Sequence, residues 1–213
     1  NFHEATDEAQ NALLKTLEEA PEKVILLLTA DSPESLLPTI VSRCELMRLR
    51  PMPLEELEKV LVKNWKASKE EAGLLSNLSL GCPGKAIRCL QQPELLAQRR
   101  NWLEEALRLL RASRRERFQF AEHESKNRDQ LKNMFQTWIS LWRDLMILSQ
   151  GSELPLINLD FKTQLEALAR QITPDTAHQC IASLNSGLDR IEMNANPRLL
   201  LEVLLLDWPL LRE

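Results

Sequence analysis

The sequence predicts a mainly α-helical chain with a short α/β stretch at its start, and three observations carry that reading. Glycine is scarce, 5 in 213 residues, and tyrosine is absent, while Leu, Glu, Arg and Ala are heavily used. Straight-chain residues lose little freedom in a helix and glycine loses much. The first fifty residues read helix, strand, helix, strand, the order of an α/β layer. Beyond Pro93 only helical spacing of apolar residues occurs.

Thr6, followed by Asp7 and Glu8, starts the first helix, because a hydroxyl cap and first-turn carboxylates answer the free amides and the dipole. The helix is expected to stop by Ala20, before Pro21. Val24 to Thr29 is a continuous apolar run too short for a normal helix, so it predicts a strand buried on both faces. Ser32 and Pro33 open a short helix and Pro38 a second turn, and Leu46 to Leu49 alternates with charge like a strand near a sheet edge. Two such strands make no stable sheet by themselves. The chain therefore reads as a fragment whose sheet partners are elsewhere, with Val24 to Thr29 poorly ordered or paired with another copy.

Pro51-Met52-Pro53 marks a boundary. After it, Leu54 to Lys66, Ser68 to Leu80 and a third helix from Lys85 form a small lid-like bundle, with Gly81-Cys82-Pro83-Gly84 as the break between the last two. Helical patterns follow over residues 94–112 and 127–149, where Leu131, Met134, Phe135, Trp138, Leu141, Trp142 and Leu145 share one face. Thr173-Pro174 and Asn196-Pro197 cap two more helices. The last of these is apolar nearly all round, so neighbouring helices or a second subunit must enclose it. The expected domains are 1–50, 51–93 and 94–213.

Composition narrows the function. There are 27 Lys+Arg against 31 Asp+Glu, and residues 1–50 alone carry five basic and nine acidic residues, so no segment is basic enough to bind nucleic acid by charge alone. No run of about 18 uncharged apolar residues exists, and residues 1–15 lack a basic start followed by an apolar stretch. No membrane span is expected, and with four scattered Cys the chain reads as a cytoplasmic protein with reduced thiols. No Cys-x-x-Cys pair supports zinc, the three His fall in unrelated helices, and no Gly-x-x-x-x-Gly-Lys-Ser/Thr loop is present.

Three spots remain. Arg43 follows a helical turn and precedes the second predicted strand; on pattern alone it reads first as an arginine paired with a surface carboxylate. Lys85 sits near a helix start and reads as a solvated lysine. Arg108, Arg111, Arg114, Arg115 and Arg117 gather at a helix end, diluted by Glu104, Glu105 and Glu116, and read as a solvated face rather than a DNA site.

The residues say more in combination. Glu8-Ala9-Gln10-Asn11-Ala12-Leu13-Leu14-Lys15-Thr16-Leu17-Glu18-Glu19-Ala20-Pro21, then Leu26-Leu27-Leu28-Thr29, then Leu36-Leu37-Pro38-Thr39-Ile40-x-Ser42-Arg43-Cys44 resembles the second half of the ATPase module of the clamp-loader AAA+ family. Gly81-Cys82-Pro83-Gly84-Lys85-Ala86 and the stretch from Asn196 to Leu206 are similar to the delta-prime class of that family in bacterial DNA polymerase III. The resemblance covers essentially the whole chain, more weakly over 94–213.

It implies the end of an AAA+ α/β domain (1–50), a three-helix lid (51–93) and an all-helical collar (94–213) that joins loader subunits in a ring. It implies further that Arg43, with Ser42 and Cys44 of its motif, is an arginine finger reaching into a neighbour's ATP site. Thr29 and Lys85 fall at the family's two sensor positions. No cofactor or metal is expected in this chain itself, since ATP and magnesium belong to neighbouring subunits. The implied partners are motor and delta-type loader subunits, the sliding clamp, and primed DNA through the assembled complex, with self-association of the fragment. Such a subunit is a non-catalytic part of a polymerase holoenzyme. A motor subunit whose phosphate loop lies upstream, and a helical adaptor unrelated to ATP, are the competing readings.

Overall fold

A computed structural model describes residues 1–19 and 23–211. Among the described residues there are eleven α-helices and no strand, in two compact units, Asn1–Arg50 and Pro51–Glu213. No helix among them is long and apolar enough to cross a membrane.

The first unit contains α1 (Asp7–Glu18) and the single turn α2 (Pro38–Val41). Thr6 caps α1, its Oγ1 accepting from Ala9 N at 3.3 Å. The helix ends at Glu18, as expected before Ala20 and Pro21, which themselves lie outside the described residues. Val24 to Thr29 and Leu46 to Leu49 are not strands here: both run without a ladder, because no strand among the described residues accepts their amides. Their side chains show the consequence. Ile25, Leu27, Met47 and Leu49 are each more than 80% exposed, and Ile40 is the one fully buried large apolar residue of this unit among those described.

The second unit begins with α3 (Leu54–Trp65), α4 (Lys69–Ser79) and α5 (Pro83–Gln91). Their core is Leu57, Leu61, Ala72, Leu75 and Ala86. A Ser68/Glu71 capping box starts α4. Two left-handed residues, Leu80 and Gly81, end it, and Gly81 is required there because a Cβ would lie 2.3 Å from the Met52 carbonyl oxygen.

The larger core is built by α6 (Pro93–Leu109), α7 (Arg114–Glu124), α8 (Arg128–Ser149), α9 (Lys162–Ala169), α10 (Pro174–Glu192) and α11 (Pro197–Asp207). Helix α8 packs against α6, α9 and α10, and α11 packs against α7 and α10. All seven residues of the predicted α8 face are buried. Trp208 stands edge-on to Trp138 and Trp142, at 4.8 and 5.3 Å between ring centres. Thr173 and Asn196 cap α10 and α11 as their sequences predict.

One expectation needs correction in this region. Arg108 to Arg117 do not form one solvated helix end, because the run straddles the end of α6 and the start of α7. Arg111, Arg114 and Arg115 are exposed, whereas Arg117 is buried at 4% exposure, turned inward to donate to the carbonyl oxygens of Leu109 and Leu205. For the last helix, expected to be enclosed by neighbouring helices or a second subunit, helices of this chain cover Leu200, Leu201, Leu204 and Leu205, while Leu199, Val203 and Leu206 remain exposed.

Candidate functional site

The site is built at the junction of α1 and α2. Gln10, buried on α1, donates from Nε2 to Ala5 O at 3.2 Å and accepts from Leu37 N at 3.1 Å. That amide belongs to the residue before Pro38, so one side chain fixes where α2 starts. Pro38 at the first helical position needs no amide partner, and Ile40 beneath it is fully buried. The turn is closed by Ser42 N to Pro38 O at 3.0 Å, Arg43 N to Ile40 O at 3.0 Å and Cys44 N to Val41 O at 3.3 Å. With Ile40 turned inward, Ser42 and Arg43 are left on the exposed side.

Arg43 is held from three directions. Its Nε and Nη2 lie 2.8 and 2.5 Å from Glu18 Oε1, and its Nη1 donates to Thr39 O at 3.0 Å and to Ser42 Oγ at 3.4 Å. Ser42 Oγ in turn donates to Thr39 O at 3.1 Å. The side chains of Arg43 and Glu18 are 36% and 50% exposed, so water screens the pair and it contributes only about 0–1 kcal/mol. A shallow depression of Pro33, Glu34, Leu36, Pro38 and Val41 opens beside Ser42.

The structure thus brings Ser42, Arg43 and Cys44 together with Glu18 and Thr39. Thr29 belongs to the same unit, exposed on its extended segment, with its carbonyl accepting from Phe2 N at 2.7 Å. Lys85 belongs to the second unit, exposed on the third residue of α5. Sequence reasoning missed Glu18. One signal marks it: a carboxylate at the last position of a helix sits against the negative end of the dipole, so something else must hold it there. Lys85 is the mirror case, a cation in the first turn of a helix whose N-cap residue, Cys82, makes no side-chain bond.

Chemically the arrangement presents one planar, permanently charged fork whose resting partner is weak. A phosphate oxygen can displace Glu18 at little cost, and guanidinium meets phosphate through two parallel bonds. Among the described residues no three His, Cys, Asp or Glu side chains gather as a metal site would require. All four cysteines are free. Burial first, and then the charge of Asp207, push the Cys180 thiol up to about 12.

Residues 1–53 match the family described as DNA polymerase III, delta subunit, and residues 93–209 match the family described as DNA polymerase III, delta subunit, C terminal. The chain is 43% identical over 100 residues to DNA polymerase III subunit delta' of Haemophilus influenzae, over 46% of this chain and 30% of that protein. It is 41% identical over 86 residues to the Escherichia coli subunit of the same name, over 40% of this chain and 26% of that protein. The Bacillus subtilis subunit delta' is 25% identical over 205 residues, which is 94% of this chain and 61% of that protein. The chain therefore spans less than two thirds of the length of these curated relatives, and Arg43 lies inside the first matched stretch.

Proposed function

Since the chain belongs to the DNA polymerase III delta-subunit family, we propose that it serves as a delta-prime-like part of a clamp loader, contributing a scaffold and one arginine to a neighbouring subunit's ATP hydrolysis. The observation that carries the reading is Arg43, on an ordered turn, exposed, and restrained by a screened carboxylate, one carbonyl and the Ser42 hydroxyl. When a neighbour's ATP is cleaved, negative charge accumulates on the γ-phosphoryl oxygens. Arg43 is suited to meet it, because its charge is permanent and its position is set before the reaction.

Exchange of Glu18 for phosphate is favourable on simple grounds. A screened contact with one carboxylate is replaced by bonds to a more highly charged group in a drier subunit boundary. Thr29 and Lys85 occupy the sensor positions of the same family, and the exposed first-turn cation at Lys85 suits a phosphate. The exposed edge of α11, Leu199, Val203 and Leu206, supplies the apolar surface for joining other loader subunits in a ring. The partners are then motor and delta-type loader subunits, with the sliding clamp and primed DNA reached through the assembly.

The test uses the full-length protein with motor subunits, clamp and primed DNA. Arg43→Ala lowers turnover at the adjoining ATP site by about 10³-fold or more, and leaves the assembled complex intact on a sizing column. Unchanged turnover at that site removes the arginine from the mechanism.

A further inference from the structure

The end of α11 lacks something its own sequence cannot provide. A helical carbonyl at Leu205 looks for the amide four residues on, and that residue is Pro209, which has none. Asp207, the last residue of the helix, adds negative charge to the negative end of the dipole, and no basic residue lies in its last turn. The end of α6 has a related shortage. The Ser113 amide, four residues after Leu109, is engaged by Glu116 Oε2 at 2.8 Å in the capping box of α7. Leu109 O is left with a 3.3 Å bond from Ala112 N.

Arg117 lies where these two helix ends converge. Its Nε donates to Leu109 O at 3.0 Å, its Nη1 to Leu205 O at 2.5 Å and Trp208 O at 2.9 Å, and its Nη2 to Pro209 O at 3.0 Å. No carboxylate among the described residues forms an ion pair with it. Two helix C-termini and the carbonyls of the following segment stand in for a counter-ion. Leu211 N closes the segment onto Leu110 O at 2.8 Å, and Trp208 is packed between Trp138 and Trp142.

We propose that Arg117 and Pro209 are a matched pair, the proline leaving the Leu205 carbonyl unanswered and the arginine answering it, so that residues 208–211 are strapped onto the α6–α7 corner. The arginine is a positioning residue. By fixing the end of α11 it sets the direction of the Leu199, Val203 and Leu206 edge; only this consequence rests on the loader reading.

A double-mutant cycle of Arg117→Met and Pro209→Ala in the full-length protein, read by hydrogen exchange and thermal unfolding, tests the pair. Arg117→Met speeds amide exchange over 208–211 by at least about tenfold, more than in α10, and lowers the melting midpoint by roughly 6–12 °C. In the Pro209→Ala background an amide at 209 lets the helix answer Leu205 itself, and the same replacement costs half as much or less. Arg117→Lys, which keeps charge without the fork, recovers little; it carries the comparison if Arg117→Met does not fold. Additive effects, exchange that rises equally in α10, or full rescue by lysine each overturn the pair. Binding to a motor-type loader subunit weakens with Arg117→Met and recovers in the double variant. A wild-type protein that binds no loader subunit defeats the loader reading, while the exchange result still judges the pair.

Discussion

Asp144 offers a stringent test of how the larger core is organised. It sits on α8 between Trp142 and Leu145 and has no solvent exposure. Its Oδ2 accepts from Asn158 N at 2.7 Å, Asn158 Nδ2 at 2.8 Å and Ile157 N at 3.0 Å, and its Oδ1 lies 3.0 Å from Arg143 Nη1. Asn158, also fully buried, accepts from Arg99 Nη2 at 2.6 Å through Oδ1. One carboxylate thus stitches the segment after α8 to α8 itself and, through Asn158, to α6. Asp144→Ala leaves four donors without this acceptor, the three buried ones at about 1–3 kcal/mol each before relaxation. A net loss of about 3–5 kcal/mol follows for breaking a buried charged network. Asp144→Asn can keep its oxygen toward Ile157 and Asn158 while half-exposed Arg143 turns to water, so it costs about 1–2 kcal/mol. Urea unfolding followed by circular dichroism separates these values. A Asp144→Ala variant within about 0.5 kcal/mol of the wild type, or an Asn variant as damaged as the Ala one, refutes the reasoning.

Two further outcomes are expected. Gly81→Ala destabilises the α3–α5 bundle by more than the roughly 1–2 kcal/mol of left-handed strain, because the added Cβ meets the Met52 carbonyl at 2.3 Å; unfolding should show it, and a neutral change would mean that the turn is not tight. Thiol alkylation at pH 8 should label exposed Cys82 first and leave Cys180 unmodified until the protein unfolds, since a buried thiol raised to about 12 is almost wholly protonated there. Peptide mass mapping reads the order, and early labelling of Cys180 would contradict its burial.

Much of the helical fold was legible because its signals are local. Thr6, Thr173 and Asn196 announced helix starts, and the α8 stripe announced which face is buried. Helix α7 escaped because its apolar residues, Phe118, Phe120 and Ala121, make no long stripe; the Ser113/Glu116 box was its readable sign. Helix α9 escaped because eight residues carry too few turns for periodicity. The strand expectations failed for another reason. Apolar runs such as Val24 to Thr29 state a preference for a sheet, but a ladder needs partners, and the described residues supply none. Arg117 and Asp144 were misread or unseen because their environments are assembled from segments far apart in sequence. At the candidate site the motif around Arg43 was legible, whereas Glu18, twenty-five residues earlier, became its partner only through the packing of α1 on α2.

On the proposed function, Arg43 exchanges its own Glu18 for a neighbour's nucleotide. A structure of the full-length protein assembled with its motor subunits and a non-hydrolysable ATP analogue measures this directly. Arg43 nitrogens are expected at about 2.7–2.9 Å from γ-phosphate oxygens, with the Glu18 contact broken. A guanidinium still bonded to Glu18 and Thr39, with the analogue's phosphates answered by other side chains, contradicts it.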